Sequence, residues 1–159
     1  IAPLDRFGVP VAPSDLMVRL TGLTAERLAG GVTLQAALAD FADFASGAAL
    51  WSWGKDEFNL LVIGCYVAGI APPIPATRFH NATRLLERAG VPLDDIHKLR
   101  SPGLPAYFGQ PESGRAHDAL GDARAVAAAI RHLLATGRLS ADDVAATPKT
   151  ATSAGASPA

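Results

Sequence analysis

Hydrophobic residues recur at helical spacing along most of this chain, and one short apolar segment breaks that pattern. Helices are predicted over 34–46, 57–68 and 81–89, each of them followed by a glycine. Between the first two lies the apolar run 48–53, which glycines flank on both sides. A run this short and this apolar predicts a buried strand.

The last long helix is predicted from Leu120 onward, with Gly137 as its stop. Its larger apolar residues fall three or four positions apart, which indicates one buried face: Leu120, Ala123, Ala127, Ile130 and Leu134. Asp122 lies beside this stripe. We therefore expect its carboxylate at the rim of the core rather than in open solvent.

The order of these elements predicts one α/β domain over 1–138. The stretch 1–20 contains three prolines and is expected to be extended. The composition beyond Ser140 turns to small and polar residues, so a disordered tail is predicted over 139–159. Few strands are visible for a sheet, which usually has about four to six. We expect the missing strands to precede Ile1.

Composition narrows the classes of function. The net charge of −1 creates no overall field for a polyanion, so nucleic-acid binding would need a local groove, bound metal ions or both. The single cysteine, Cys65, excludes an intramolecular disulfide and a cysteine-rich zinc site, and its apolar helix predicts a buried thiol. No apolar run reaches the roughly 20 residues that span a membrane, and no leader opens the chain. A cytoplasmic protein without a membrane partner is expected.

Two acidic positions and one histidine stand where they could carry chemistry. His117 precedes the last helix and Asp122 lies in its first turns, a pairing that suits metal-assisted hydrolysis. Asp56 follows the predicted strand at the start of a helix, where open α/β sheets place ligand-binding groups. Each position has a plainer alternative. Asp118 or Asp122 could serve only to stabilise the positive N-terminus of the helix, and His117 could be an ordinary surface residue. Asp56 could be a helix cap, with its neighbour Glu57 as the true ligand.

Four motifs in order resemble those of one family, the histidine-bearing branch of the DEDD-type 3′→5′ exonucleases. The block Leu20-Thr21-Gly22-Leu23-Thr24 is similar to the one before that family's first helix, and Trp53-Gly54-Lys55-Asp56 is similar to its second acidic motif. His117 and Asp122, with four residues between them, resemble the third motif, and Asn81 stands where relatives often carry an asparagine. The likeness runs from about Val11 to Leu134.

This resemblance implies a ribonuclease H-like mixed sheet flanked by helices, acting on the 3′ end of DNA or RNA. It implies two Mg²⁺ or Mn²⁺ ions, with Asp56 and Asp122 as metal-associated carboxylates and His117 as the general base. Thr21, Gly22 and Asn81 would contact the substrate. The choice between DNA and RNA and the existence of a homodimer are left open.

One motif of the family is absent. Its first strand carries Asp-x-Glu, and no Asp-x-Glu occurs in this sequence, which begins at Ile1 rather than at methionine. We expect a domain without its N-terminal strands, whose metal-dependent hydrolysis is very weak or nil. The alternative is a non-catalytic module of the same fold that binds nucleic acid or a protein partner. Asp-x-Glu in frame upstream of Ile1 would favour the enzyme.

Basic and aromatic side chains offer a weaker indication of a nucleic-acid groove. Six basic residues of the later half could contact phosphates or could be ordinary solvated positions: Arg78, Arg84, Arg88, Lys98, Arg100 and Arg115. Trp51 and Trp53 could stack on bases, although their alternation in an apolar strand favours core packing for at least one of them.

Overall fold

Helices dominate the described part of the chain, and two short strands form its sheet. The computed structural model describes residues 5, 7, 9–54, 56–111 and 118–145, with only the backbone of Asp56. The helices are α1 Asp15–Thr21, α2 Ala25–Ala29, α3 Leu34–Ala45, α4 Asp56–Ala68, α5 Thr83–Arg88, α6 Leu93–Lys98, α7 Leu104–Tyr107, α8 Ala119–Ala135 and α9 Ala141–Val144. The strands are β1 Leu50–Ser52 and β2 Phe79–Asn81, and short 3-10 turns span Ala76–Arg78 and Ser101–Gly103.

The two strands run parallel, with Leu50 opposite Phe79 and Ser52 opposite Asn81. Parallel strands need a long connection, and α4 lies within the one that joins them. Both strands therefore end on the same side of the molecule. The predicted mixed α/β class is confirmed at this level, and the ribonuclease H-like topology stays a prediction.

The core lies between the helices of the second half and one face of β1. Its most deeply buried large side chains include Leu86 on α5, Leu104 on α7 and Leu133 on α8. Trp51 and Trp53 are half-buried and pack against this cluster. The end of β1 is thereby fixed against α8, which brings the carboxyl end of the strand close to the start of that helix.

Local capping explains where the first helices begin. The side chains of Thr24 and Thr33 accept backbone hydrogen bonds at 3.3 and 3.2 Å, as expected of helix caps. The expectation of an extended chain over 1–20 is wrong from Asp15 onward. Ser14 caps α1 through a bond from the Met17 amide at 3.2 Å, and Gly22 closes it in the left-handed conformation, so the prolines limit only the residues before it.

The buried face of α8 differs from the predicted stripe. Leu120, expected in the core, is 56% exposed. The buried positions are Gly121, Ala125, Val126, Ala129, Ile130 and Leu133. Glycine and alanine on this face let α7 and the turn Ser101–Gly103 pack close to the helix. Asp122 borders this face and is half-buried, so its predicted position at the rim of the core is confirmed.

The first part of the predicted tail is structured. Leu139 is 5% exposed and joins the core, and Ser140 forms a reciprocal capping box with Asp143 at the start of α9. Trp51 Nε1 donates to the Val144 carbonyl at 3.0 Å. The disorder predicted for 139–145 is therefore wrong. Composition alone does not reveal these contacts, which offset the conformational entropy lost when the segment becomes ordered. The remainder, 146–159, lies outside the described residues.

Helix α4 is apolar around its circumference. Cys65 is fully buried, as predicted. Tyr66, expected to face the core, is 84% exposed, and Leu60 and Ile63 are exposed as well. When apolar residues occupy every face, their spacing cannot identify the buried one. Among the described helices, α4 included, none combines the length and the apolar character needed to cross a bilayer.

Candidate functional site

A cleft of about 330 Å³ opens where β1 ends and α8 begins. We call it the acidic cleft, because two carboxylate residues, Glu57 and Asp122, line it. Trp53 supplies one wall and Ser101 reaches it from the turn before α7. Three segments far apart in the sequence therefore meet at this point.

Asp122 contributes a carboxylate oxygen that the described residues leave without a partner. Its Oδ1 is buried and accepts no hydrogen bond within the part of the chain that the structure describes. A buried acceptor without a donor costs about 1–3 kcal/mol. Carboxylate oxygens are good ligands for hard divalent cations, so an aspartate that lines the cleft and has an unpartnered oxygen fits a metal ligand.

Asp118 performs the capping role that could otherwise have explained Asp122. Its Oδ2 accepts a hydrogen bond from the Gly121 amide at 3.0 Å, and it stands at the N-cap of α8. The Asp122 amide in turn donates to the Asp118 carbonyl at 2.9 Å. Because Asp118 caps the helix, capping does not account for the side chain of Asp122.

In the Trp-Gly-Lys-Asp-Glu segment, the structure describes the side chain of Glu57 but not that of Asp56. Glu57, in the first turn of α4, lines the acidic cleft together with Asp122. The side chain of Asp56 lies outside the described residues, so its predicted metal role stays a prediction. Glu57, which the sequence had offered as the alternative, therefore lines the same cleft as Asp122.

His117 and Arg115 also lie outside the described residues, which resume at Asp118. In the sequence His117 is the residue immediately before the Asp118 cap and five positions before Asp122. Its predicted role as a general base therefore rests on the motif and stays a prediction.

Asn81, at the end of β2, holds the loop that follows β1. Its Oδ1 accepts hydrogen bonds from the Gly54 amide at 3.2 Å and from the Thr83 amide at 3.0 Å. Gly54 has a φ of 114°, a conformation that side chains other than glycine rarely adopt. These bonds hold the loop from which α4 and Glu57 begin. The contacts give Asn81 a positioning role, and its predicted contact with substrate stays untested.

Thr21 and Gly22 belong to a helix-ending turn in the described structure. Thr21 Oγ1 donates to the Met17 carbonyl at 2.8 Å and accepts from the Leu23 amide at 3.2 Å. The Gly22 carbonyl accepts from Arg27 Nη1 at 3.0 Å. The Leu-Thr-Gly-Leu-Thr block thus forms the junction between α1 and α2, and its predicted role in substrate binding stays a prediction.

Ser101 is a polar residue of the cleft that the sequence did not indicate. It begins the Ser-Pro-Gly turn and contributes to the acidic cleft from the segment before α7. Prolines and glycines marked this segment as a break between helices, but nothing local connected it with Asp122. Only the packing of that turn against α8 brings Ser101 to the site.

The described residues alone provide an incomplete set of metal ligands. Within them, no group of three or more histidine, cysteine, aspartate or glutamate side chains is arranged to hold an ion. A cation between Glu57 and Asp122 would therefore take its other ligands from water, from substrate or from residues outside the described ranges.

The chain matches none of the protein-family models, curated proteins or solved structures with which it was compared.

Proposed function

We propose that this chain carries part of the active site of a metal-assisted 3′→5′ exonuclease. Glu57 and Asp122 would hold a divalent cation in the acidic cleft, and His117 would act as the general base. The observation that carries the proposal is that Asp122, which lines a cleft together with Glu57, has a buried Oδ1 without a hydrogen-bond partner among the described residues. The choice of 3′→5′ exonuclease hydrolysis comes from the resemblance of the sequence motifs, in their order, to those of that exonuclease family.

The chemistry of the two side chains favours a hard cation. Carboxylate oxygens are preferred by Mg²⁺ and Mn²⁺, and the cleft is open enough to keep water or a phosphate oxygen beside them. When bound, the ion would supply positive charge against the negative charge that develops on the phosphate during displacement. Glu57 and Asp122 would fix its position, since they approach from two different helices.

His117 would move the proton. A histidine side chain with an ordinary pKa of about 6.5 is largely neutral at cellular pH and can accept a proton from water. The water oxygen then bonds to the phosphorus of the 3′-terminal phosphodiester, and the bond from phosphorus to the 3′ oxygen of the preceding nucleotide breaks. That 3′ oxygen takes a proton from solvent. The product is a nucleoside 5′-monophosphate.

A second candidate is a non-catalytic module that binds nucleic acid or a protein partner. Two observations favour it. The sequence contains no Asp-x-Glu, and the described residues contain no cluster of three metal-ligating side chains. On this hypothesis the acidic cleft would still hold a cation and a 3′ end, but no nucleotide would be released.

Release of nucleotides from 3′-labelled DNA and RNA strands in Mn²⁺ separates the two candidates. Of the very weak or nil hydrolysis expected for a chain without Asp-x-Glu, the exonuclease proposal predicts the first. The full chain should release 5′-monophosphates very slowly but measurably, and this release should disappear in His117→Ala and in Asp122→Asn. Asp40→Asn, on the exposed surface of α3, is the matched control and should leave the rate unchanged. Binding of the strand without any release by the unmodified chain would reject the enzyme and favour the binding module.

A further inference from the structure

A second cleft, of about 430 Å³, adjoins the acidic cleft. Trp53 lines both of them, so they meet at this half-buried side chain. The second cleft lies between α5 and α6, and its polar lining includes Thr83, Arg84, His97 and Arg100. We call it the basic cleft.

Other basic residues of the same region are engaged in structural contacts. Arg78 donates from Nε and Nη2 to the Ala48 carbonyl at 2.9 and 2.7 Å. Arg88 pairs with Asp143 at 2.6 Å. Arg138 donates to the Ala89 carbonyl at 2.9 and 2.7 Å. The backbone bonds of Arg78 and Arg138 occupy their guanidinium groups. Arg88 is 67% exposed, but its partner Asp143 is only 14% exposed, so this pair is less solvated than that of Arg84.

Arg84 and Arg100 are differently placed. The side chain of Arg84 is 70% exposed and its ion pair with Glu87, at 3.2 Å, is solvated, so the pair contributes little to stability. Arg100 is exposed, and its Nη1 donates to the carbonyls of His97 and Leu99 at 3.5 and 3.1 Å. A guanidinium has five N–H donors, so these bonds orient Arg100 and leave further donors for a ligand.

We propose that the basic cleft binds the phosphodiester backbone of a single-stranded nucleic acid, upstream of the terminal nucleotide that occupies the acidic cleft. Arg84 and Arg100 would each contact a phosphate. Guanidinium groups beside an aromatic wall are the combination that single-strand binding surfaces use. This placement of the strand rests on the function proposed above, whereas the affinity of the cleft for phosphates does not.

Glu87 provides a variant that should strengthen the binding of nucleic acid rather than weaken it. Its carboxylate lies in the same cleft and competes with a phosphate for Arg84. Glu87→Gln removes one negative charge and should therefore strengthen binding. A substitution that only disturbed the fold would weaken it instead.

Fluorescence anisotropy with a labelled single-stranded oligonucleotide, the full chain and no divalent cation tests the cleft separately from catalysis. Arg84→Ala and Arg100→Ala should each weaken binding about tenfold. Each should also make the plot of log affinity against log salt shallower by about 0.7, the value for one phosphate contact on a single strand. Arg131→Ala, on the exposed side of α8, removes the same charge outside the cleft and should have no effect.

The binding assay and the hydrolysis assay can succeed or fail independently, because the first measures affinity and the second measures release of nucleotides. Cleft-dependent binding that Glu87→Gln strengthens would support the basic cleft, even if no nucleotide were ever released. Equal affinity in wild type, Arg84→Ala and Arg100→Ala would overturn it, as would an absence of oligonucleotide binding by the wild type. An equal loss in Arg131→Ala would also overturn it, because binding would then follow net charge alone.

Discussion

Asn81 Oδ1 accepts a hydrogen bond from the Gly54 amide at 3.2 Å, which ties the end of β2 to the loop after β1. The same oxygen accepts from the Thr83 amide at 3.0 Å and so also fixes the start of α5. The loop at Gly54 leads directly into α4 and Glu57. The position of one acid of the acidic cleft therefore depends on a side chain from the neighbouring strand.

Asn81→Ala should lower the free energy of unfolding by about 2 kcal/mol, since two backbone N–H groups lose their acceptor. Urea denaturation measures the change. Asn81→Asp keeps the acceptor oxygen and should recover most of the loss. Asn59→Ala, at an exposed position of α4, is the control and should change stability little. If Asn81→Ala were as stable as the wild type, the bonds to Gly54 and Thr83 would be dispensable.

Asp122→Ala should stabilise the protein in the absence of divalent cations. The substitution removes a buried oxygen without a described partner and places the best helix former in α8, for a gain of about 1 kcal/mol. Asp40→Ala, in the middle of α3, should gain only the helix-propensity part, about 0.5 kcal/mol. Thermal denaturation in EDTA makes the comparison. A loss of stability in Asp122→Ala would mean that the carboxylate already has a partner and is not held ready for a cation.

Gly64→Ala should raise the free energy of unfolding by about 0.5–1 kcal/mol, because glycine is unfavourable in a helix interior. A Cβ at this position would lie 3.5 Å from Leu34 Cδ2, an ordinary packing distance. Gly54→Ala is the contrasting variant and should destabilise, since its φ of 114° strains any residue with a Cβ. A destabilised Gly64→Ala would show that α3 and α4 pack more tightly than this distance indicates.

Asp143 should make stability depend on pH in the acid range. Hydrogen bonds from the Ser140 backbone and hydroxyl, with a smaller contribution from Arg88, hold the pKa of Asp143 below its ordinary value. A depressed folded-state pKa gives stability that is present above the unfolded value of about 3.9 and is lost as the pH falls through the folded value.

Urea midpoints measured from neutral pH down to strongly acid pH report this contribution. Asp143→Asn should be less stable than wild type at neutral pH, and the difference between them should shrink as the pH falls. Asp142→Asn, which is exposed on the same short helix, should follow the wild-type curve. If the urea midpoints of wild type and Asp143→Asn fell in parallel as the pH was lowered, Asp143 would not be the group that makes stability depend on pH.

Features set by neighbouring residues could be predicted from the sequence. The caps at Thr24 and Thr33 and the helix end at Gly22 depend on hydrogen bonds within a few residues. The strand β1 was visible as an apolar run between glycines. The pairing of β1 with β2 was not predictable, because its register joins residues that are 29 positions apart, such as Trp51 and His80.

The site shows the same division. The position of Asp122 at the rim of the core could be predicted from the apolar pattern of its helix. The exposure of Leu120 could not, because the many alanines of α8 allow more than one face to be buried. Asp56 and Glu57 are consecutive at a helix start, so spacing could not tell which of them belongs to the site, and the structure adds only that Glu57 lines the acidic cleft. Ser101 reaches the cleft only through tertiary packing, which leaves no local pattern in the sequence.

The central claim is that Glu57 and Asp122 hold one divalent cation together. Equilibrium binding of Mn²⁺ to the full chain, followed by the electron paramagnetic resonance signal of free Mn²⁺, tests it directly. We predict that the wild type binds Mn²⁺ and that Glu57→Gln and Asp122→Asn each weaken binding about tenfold, as the loss of a charged ligand implies. Asp40→Asn, on the exposed surface of α3, should leave binding unchanged. Binding that is kept in Glu57→Gln or in Asp122→Asn, or that is equal in all three variants, would contradict the claim.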